Sequence, residues 1–343
     1  MYGRAAVRAA RLVVSACESP MHERPLYLTE ADVARLADIC DAISSLEEAF
    51  AAWRDPGTVN LPRQRAPLPG GFFNLMGSVY GRKGVYGLKA YAGGPSGALF
   101  NVSLYDVSTR RLLAVFEANL LSQLRTGAAS GLATKLLANP DARTLGCIGS
   151  GKQARAQVLA VCAVRPIELI RIYSRSPENR EAFARAMAEE TGVKTVVVDS
   201  AEACVRDMDV LVLITKATEP VIRSEWVREG AHINGAGANA ANRREIDAAT
   251  VLRARLLVTD DKEQARVEAA EFRDLVAAGR LSWDAVHELG DLVTGAAPGR
   301  RAPGDLTLFK SLGVSLEDIA FAELIYRRAV ERGHELVREW EER

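Results

Sequence analysis

The stretch Thr144-Leu-Gly-Cys-Ile-Gly-Ser-Gly-Lys-Gln-Ala154 decides the fold. A short apolar segment runs into a turn with small residues at Gly149, Gly151 and Ala154, the spacing G-x-G-x-x-A. In a dinucleotide-binding turn the first glycine permits a tight bend, the second lets the backbone approach the pyrophosphate, and the third small residue lets helix and strand pack closely. We therefore predict cofactor contacts from the residues of this turn, Gly149, Ser150, Gly151, Lys152, Gln153 and Ala154.

The sequence after this turn alternates between apolar strand patterns and helical patterns. Strands are expected at 144–148, 167–173, 193–198, 209–214, 231–235 and 255–259. Helices are expected between most of them, at 152–163, 177–190, 201–206 and 243–252. This alternation predicts an α/β fold, a Rossmann doubly wound parallel sheet of about six strands. Beyond Asp260 we predict no further strand, with helical segments at 262–278, 282–288 and 316–340.

The sequence before the glycine turn lacks the regular alternation of strands and helices. A short strand at 26–28 leads into a helix capped by Thr29 and Asp32 that is expected to reach Trp53. Between residues 59 and 118 apolar runs broken by glycine and proline predict an antiparallel sheet, with strands at 72–76, 85–91, 99–105 and 112–116. A helix follows at 120–138, and its run of small residues predicts close packing against another element.

A chain of 343 residues is long for one core, so two domains are expected. We assign residues 131–304 to the Rossmann dinucleotide-binding domain and residues 1–20 to a disordered extension, since the apolar run there is too short for a signal peptide. Residues 21–130 together with 305–343 are assigned to a second, α+β domain formed by both chain ends, because the apolar face of the last helix must pack against the early domain.

Composition excludes several classes of function. The 44 basic and 44 acidic side chains balance, which predicts no nucleic-acid partner, and no apolar run is long enough to span a membrane. The five cysteines are scattered, which indicates a reduced, cytoplasmic protein without structural zinc. The four histidines lack ligand spacing, so we assign no metal, and His232 is expected to pack within a strand.

The end of the second predicted strand bears on the choice of cofactor. In NAD-selective sites an acidic residue at this position binds the ribose 2′-hydroxyl, whereas an arginine suits a 2′-phosphate. This chain has Ser174, Arg175 and Ser176 there, 26 residues or so beyond Gly149. We therefore predict contacts from these three residues and favour NADP(H), with NAD(H) as the alternative.

Five motifs occur in the order of a known family, and the chain resembles the ornithine cyclodeaminase/mu-crystallin family from about Met21 to its end. They are the stretches 124–130, 148–154, 234–247, 288–295 and 305–313, which read LRTGAAS, IGSGKQA, NGAGANAANRREID, ELGDLVTG and DLTLFKSLG. The resemblance implies a Rossmann domain within a dimerisation and substrate domain, hence a homodimer. Members of the family include ornithine and lysine cyclodeaminases, archaeal-type alanine dehydrogenases, ketimine or pyrroline-carboxylate reductases and NADPH-binding crystallins.

The resemblance also implies roles for individual residues. Lys89 matches an active-site lysine that contacts the substrate carboxylate or carbonyl, and Arg125 matches an arginine that binds the carboxylate. Arg65 matches a second such arginine, with Arg63 as an equally good candidate. The remaining matches are Met76, lining the substrate pocket, and two cofactor contacts, Thr126 and Thr215. A small-molecule substrate with a carboxylate is thus expected.

Two positions depart from the cyclodeaminase pattern. Asn74 stands where those enzymes have a carboxylate, and Asn239 stands where Gly-Ala-Asp supplies an acid or base. Because asparagine accepts no proton at neutral pH, we predict an NAD(P)-dependent oxidoreductase acting on an α-imino or α-keto acid, with Lys89 and Asn239 at the reacting centre. The alternatives are an ammonia lyase of the cyclodeaminase type, in which Glu245 or Asp247 replaces the aspartate, and a non-enzymatic ligand-binding protein.

Overall fold

The computed structural model describes residues 24–95 and 97–332, and this part of the chain contains two sheets. The extension 1–20 and the helical turns predicted after Arg332 lie outside the described residues. Within the described ranges, no helix combines the length and the apolar character that crossing a bilayer requires.

The first sheet has six strands in the order β1-β6-β5-β4-β3-β2, all antiparallel except the parallel pair β1 and β6. The four predicted strands and the short strand before them are confirmed, and β2 is an addition because its polar sequence shows no alternation. The elements of this half are β1 (Leu26–Leu28), α1 (Glu30–Leu36), α2 (Ile39–Ala51), β2 (Val59–Leu68), β3 (Gly71–Tyr80), β4 (Val85–Gly94), β5 (Gly97–Asp106), β6 (Leu112–Glu117) and α3 (Asn119–Leu137).

The first helical region differs from the prediction of one helix to Trp53. The capping box of Thr29 and Asp32 is confirmed, but α1 ends at Leu36, because the backbone of the next residue, Ala37, is extended. A second capping box, formed by Asp38 and Asp41, then starts α2. Two aspartates three residues apart can form a capping box at a helix start, or can lie on the exposed face of one continuous helix. The sequence pattern alone does not distinguish these two arrangements.

The second sheet is a parallel sheet of eight strands in the order β13-β12-β14-β11-β10-β7-β8-β9. The α/β doubly wound fold and all six predicted strands are confirmed. The elements of this half are β7 (Thr144–Ile148), α4 (Ala154–Val164), β8 (Leu169–Tyr173), α5 (Pro177–Thr191), β9 (Lys194–Val197), α6 (Ala201–Val205), β10 (Val210–Leu213), β11 (His232–Gly235), α7 (Ala248–Arg253), β12 (Leu256–Thr259), α8 (Lys262–Glu268), α9 (Ala270–Ala277), β13 (Val286–Glu288), α10 (Leu289–Val293) and β14 (Thr307–Lys310).

The prediction of no strand beyond Asp260 is wrong. β13 occupies part of the segment expected to be helical at 282–288, and β14 inserts between β11 and β12. Both strands are too short to show a periodic pattern, and their place is set by pairing with distant strands. The segment 262–278 likewise forms two helices, which meet at Ala269. The chain thus completes the parallel sheet at Lys310 before it returns to the first sheet.

The last helix, α11 (Ser315–Arg332), packs on the first sheet, as the apolar face of the predicted helix required. Ile319, Phe321 and Ile325 are fully buried in one apolar cluster with side chains of α2 and β1. Helix and strand lie so close that a Cβ at Gly87 of β4 would come within 2.5 Å of Ile319 Cδ1. Two further apolar clusters lie around the parallel sheet. The first sheet therefore presents one face to α11, and that face contains the candidate site.

Candidate functional site

The inner face of the first sheet carries the residues predicted to contact substrate. Met76 lies opposite Lys89, and Asn74 lies opposite Tyr91, in the antiparallel pairing of β3 with β4. Because alternate residues of a strand share a face, these four side chains lie together. Lys89, Asn74 and Met76 are each at most 2% exposed. The structure thus brings together three residues that the sequence predicted separately.

Two acidic residues of α11 meet the cations of this face. Lys89 Nζ donates to Asp318 Oδ1 at 2.9 Å, and Arg125 Nε lies 2.9 Å from the same oxygen. Arg125 Nη1 also donates to Glu317 Oε2 at 2.7 Å. All four side chains are at most 7% exposed, so the ion pairs form in a medium of low dielectric constant.

Burial changes the proton affinities of this cluster. Desolvation, reinforced by the charge of Arg125, lowers the pKa of Lys89 to about 7 and outweighs the ion pair with Asp318. Desolvation likewise raises the pKa of Glu317 to about 8, against the opposing effect of Arg125. The Lys89 ammonium also lies 5.0 Å from the ring centre of Phe100, a cation–π contact. Burial therefore favours the neutral amine of Lys89 more than water does.

Arg63 and Arg65 of β2 share one carboxylate from the other half of the chain. Arg63 Nη1 donates to Glu268 Oε2 at 2.5 Å, and Arg65 Nη2 donates to Glu268 Oε1 at 2.7 Å. The Arg63 side chain is 2% exposed and that of Arg65 is 41% exposed. Arg63 Nη2 also donates to the carbonyl of Gly313, whose Cβ position lies 2.6 Å from Arg125 Nη1. Of the two arginines, Arg63 is thus the one that lies beside Arg125 and Lys89.

The two asparagines at the departing positions lie on either side of Arg65. Asn74 is the partner of Arg65 in the pairing of β2 with β3, and the carbonyl of Asn239 accepts from Arg65 Nη2 at 2.7 Å. Asn74 Oδ1 is buried and has no hydrogen-bond partner among the described residues. Asn74 thus lies on the inner face of the sheet, Asn239 meets Arg65 through its backbone carbonyl, and neither residue supplies a carboxylate.

The glycine turn has the geometry that a dinucleotide requires. Gly149 has φ +123°, and a Cβ there would lie 2.4 Å from the carbonyl of Ile214, so the bend requires glycine. No described atom lies within 4 Å of a Cβ position at Gly151, which leaves its backbone open to a ligand. Among the described residues, no side chain caps the start of α4 at Gln153, so its first N–H groups face outward.

The adjacent loop positions the residues predicted to bind the adenosine ribose. Ser150 Oγ donates to Ser174 Oγ at 2.8 Å, and Ser176 caps α5. Arg175 is exposed between the two serines at the end of β8. On the other side of the turn, Lys152 lines a groove of about 700 Å³ that reaches the tip of the β4–β5 hairpin. The turn therefore opens toward the first sheet.

The run of small residues in α3 packs against α4, as predicted. A Cβ at Gly127 would lie 2.3 Å from the carbonyl of Ala156, and one at Gly131 would lie 2.9 Å from Ala160 Cβ. Next to this contact, the carbonyl of Thr126 accepts from Gln157 Nε2 at 3.0 Å. Helix α3 thus carries Arg125, which lies beside Lys89, and packs against α4, the helix that begins after the glycine turn.

Sequence reasoning missed the acidic partners of the site. Glu317, Asp318 and Glu268 carry no motif of their own, and Asp318 is 229 residues from Lys89 in the chain. The available signal was two adjacent acids on the helix whose apolar face had to be buried. His232 was placed correctly: it is fully buried in β11, with Nδ1 3.0 Å from Thr307 Oγ1. The described residues contain no cluster that could bind a metal.

The structure thus combines a turn of dinucleotide-binding geometry with a buried cluster of lysine, arginine and carboxylate side chains. The chain belongs to the ornithine cyclodeaminase/mu-crystallin family, whose model matches residues 23–333. It is 38% identical over 233 residues to a Delta(1)-pyrroline-2-carboxylate reductase of Bacillus cereus, a match that covers 68% of this chain and 71% of the relative.

Solved structures show the same likeness over nearly the whole chain. The Delta(1)-pyrroline-2-carboxylate reductase of Thermococcus litoralis, in complex with NADH and L-proline, has a TM-score of 0.86 and 34% identity, covering 90% of this chain and 98% of that one. An archaeal alanine dehydrogenase dimer with bound NAD has a TM-score of 0.84 and 30% identity, covering 90% and 97%. The chain is accordingly an NAD(P)-dependent oxidoreductase of imino or keto acids, as the sequence predicted.

Proposed function

We propose that the enzyme reduces the C=N bond of an α-imino acid, with cyclic imino acids such as Δ1-pyrroline-2-carboxylate as the preferred class. The observation that carries this proposal is the buried cluster in which Lys89 and Arg125 share Asp318 Oδ1. Two relatives named for pyrroline-2-carboxylate reduction support the cyclic class. The absence of a carboxylate at positions 74 and 239 argues against deaminating cyclisation, which needs additional proton transfers.

The substrate carboxylate would bind between the guanidinium groups and Lys89. Arg125 is buried beside Lys89, and bidentate pairing with a carboxylate is the contact that a guanidinium makes best. Of the two arginines on β2, Arg63 is buried near this pair, whereas Arg65 is half-exposed and contacts Asn239. We therefore assign the carboxylate to Arg125 and Arg63, and give Arg65 the role of positioning Asn239. Asn74 and Met76 then line the pocket on β3.

The chemistry needs one proton from the protein. A nicotinamide dinucleotide, when bound at the glycine turn, supplies the hydride that adds to the imine carbon. The imine nitrogen takes a proton at the same time, and the Lys89 ammonium is the donor because its pKa of about 7 makes it a competent acid near neutrality. Asn239 orients the reacting nitrogen through a hydrogen bond.

We further propose that NADP(H) is preferred to NAD(H). The support is Arg175, exposed at the end of β8 between Ser174 and Ser176, where a 2′-phosphate would accept from the guanidinium and both hydroxyls. Thr126, next to Arg125 on α3, and Thr215, which follows β10, are assigned to the cofactor as well. The two solved relatives contain NADH and NAD, so the preference rests on Arg175 alone.

A cofactor-oxidation screen tests this function. The protein is mixed with cyclic and acyclic imino acids and with α-keto acids plus amines, once with NADPH and once with NADH, while ammonia is measured in parallel. We expect cofactor oxidation with cyclic imino acids and tighter binding of NADPH. Release of ammonia from ornithine or lysine without net cofactor oxidation would instead establish the cyclodeaminase reaction, and equal affinity for the two cofactors would remove the role of Arg175.

We also propose that the protein is a homodimer formed through the outer face of the first sheet. Leu75, Leu88 and Leu99 lie on this face and are 39%, 36% and 72% exposed. Their strands pair in register, so the side chains form one apolar surface on the side of the sheet away from α11. A second copy is the proposed partner, because the similar archaeal alanine dehydrogenase is a dimer.

A further inference from the structure

Glu245, in the loop before α7, makes an unusual set of contacts for a fully buried carboxylate. Its Oε1 accepts from the backbone N–H and the hydroxyl of Thr215, at 2.6 and 2.7 Å. Its Oε2 accepts from the N–H groups of Gly237 and Ala238, at 2.8 and 3.0 Å. One side chain thus satisfies four donors from two separate loops, and its 0% exposure leaves no oxygen open to solvent.

The two loops that Glu245 joins follow adjacent strands of the parallel sheet. Thr215 comes after β10, and Gly237 and Ala238 come after β11, which pairs with β10. The loops touch directly: a Cβ at Gly237 would lie 2.2 Å from Thr215 N, so the approach requires glycine. This is the carboxyl edge of the sheet, where ligands of doubly wound folds bind. Asn239 directly follows Gly237 and Ala238, whose N–H groups donate to Glu245.

The backbone of Glu245 contacts a buried ion pair between Glu271 and Lys310. The backbone N–H of Glu245 donates to Glu271 Oε1 at 3.0 Å, and the same oxygen accepts from Lys310 Nζ at 3.0 Å. Lys310 ends β14, and its side chain and that of Glu271 are at most 1% exposed. The position of the Glu245 carboxylate is therefore set by the sheet itself.

We propose that Glu245 is a positioning residue for the reaction, one that sets Asn239 and Thr215 relative to the bound cofactor and the imino acid. The inference rests on the proposed function. A role for Glu245 as the acid or base in place of an aspartate does not fit, because all its acceptor sites face N–H or O–H donors. Asn239 is then fixed from both sides, by Glu245 through Ala238 and by Arg65 through its own carbonyl.

The test compares Glu245→Gln with a matched variant at the opposite, amino ends of the strands of the same sheet. An amide at 245 accepts through one oxygen only, so its NH₂ group would face the donors of one loop. The matched control is Asp209→Asn: Asp209 Oδ2 accepts from Arg143 N, Thr144 N and Thr144 Oγ1 at 2.8 to 3.0 Å, also between two strands. If Glu245→Gln does not fold, Glu245→Asp replaces it, since the shorter carboxylate cannot span both loops.

Three readouts separate positioning from mere stability. We expect Glu245→Gln to lower kcat about tenfold or more, because misplaced reacting groups lose that much rate, with a smaller change in the dissociation constant of the cofactor. The primary deuterium isotope effect on hydride transfer should rise, and backbone amides 236–240 should exchange hydrogen faster. Asp209→Asn should show none of these changes at a similar loss of thermal stability.

Two results would overturn the proposal. One is a kcat and an isotope effect for Glu245→Gln that match those of the wild type or of Asp209→Asn. The other is unchanged hydrogen exchange at 236–240, which needs no substrate. If the wild type turns over no imino acid, the proposed function fails, and the exchange measurement still decides whether Glu245 fixes this loop.

Discussion

Lys89 is a residue whose surroundings determine its chemistry more than its own side chain does. The family resemblance pointed to Lys89, and a lysine in an apolar strand is in any case rarely buried without a partner. Its partners were not predictable, since Asp318 reaches it only when α11 returns to the first sheet from the far end of the chain. The same holds for Arg63 and Glu268, which meet across the two halves of the molecule.

The lowered pKa of Lys89 predicts a pH dependence. Below pH 7 the ammonium is present and can donate a proton to the imine, so kcat/KM for reduction should be constant there. As pH rises through about 7 the donor is lost, and kcat/KM should fall about tenfold per pH unit. Measured pH profiles of the wild type and of Lys89→Met check this. The variant should lack the fall in kcat/KM above pH 7. A wild-type profile that stays flat from pH 6 to 9 would exclude Lys89 as the donor.

The two arginines of β2 give a second prediction at the residue scale. If Arg63 binds the substrate carboxylate, Arg63→Lys should raise KM for the imino acid about tenfold, because lysine cannot pair with a carboxylate in bidentate fashion. Arg65→Lys, half-exposed in the wild type, should change KM by less than about threefold while affecting kcat through Asn239. The reverse order of the two KM effects would assign the carboxylate to Arg65, as the family resemblance first implied.

At the scale of secondary structure, the contact between α3 and α4 links the substrate site to the glycine turn. The sequence predicted from a run of small residues that some element packs closely on α3, but not that this element is α4. It predicted the strands around the turn because each is a continuous apolar segment. It missed β13 and β14, which have three and four residues and are defined by their neighbours in the sheet. Local pattern is informative only where an element is long enough to show a period.

The close contact between α3 and α4 predicts the effect of adding one methyl group at Gly127. Gly127→Ala would place Cβ 2.3 Å from a backbone carbonyl of α4, which must shift. We expect the free energy of unfolding to fall by about 1–3 kcal/mol and cofactor affinity to fall with it, because α4 starts at the phosphate-binding turn. Gly304→Ala is the matched control, with no described atom within 4 Å of its Cβ position. Equal melting temperatures for the two variants, measured by calorimetry, would show that α4 accommodates the methyl group.

At the scale of the whole molecule, the proposed active site and the proposed dimer interface lie on opposite faces of the first sheet. The inner face carries Lys89, and the outer face carries Leu88, its neighbour in the chain. Leu88→Glu should therefore dissociate the proposed dimer without altering residues of the site, because a buried unpaired carboxylate is costly at an apolar interface. Leu252→Glu is the control, since Leu252 of α7 is 37% exposed and Leu88 is 36% exposed. Sedimentation that shows a monomeric wild type, or a Leu88→Glu variant that remains a dimer, would refute this interface.

The central claim, net reduction of an imino acid, is tested most directly by following the hydride. The protein is incubated with Δ1-pyrroline-2-carboxylate and NADPH that carries deuterium at the transferable C4 position, and the product amino acid is analysed by mass spectrometry. We predict proline with one deuterium at Cα and one oxidised cofactor per product. Proline without deuterium, or no proline together with an unchanged cofactor, would contradict the claim.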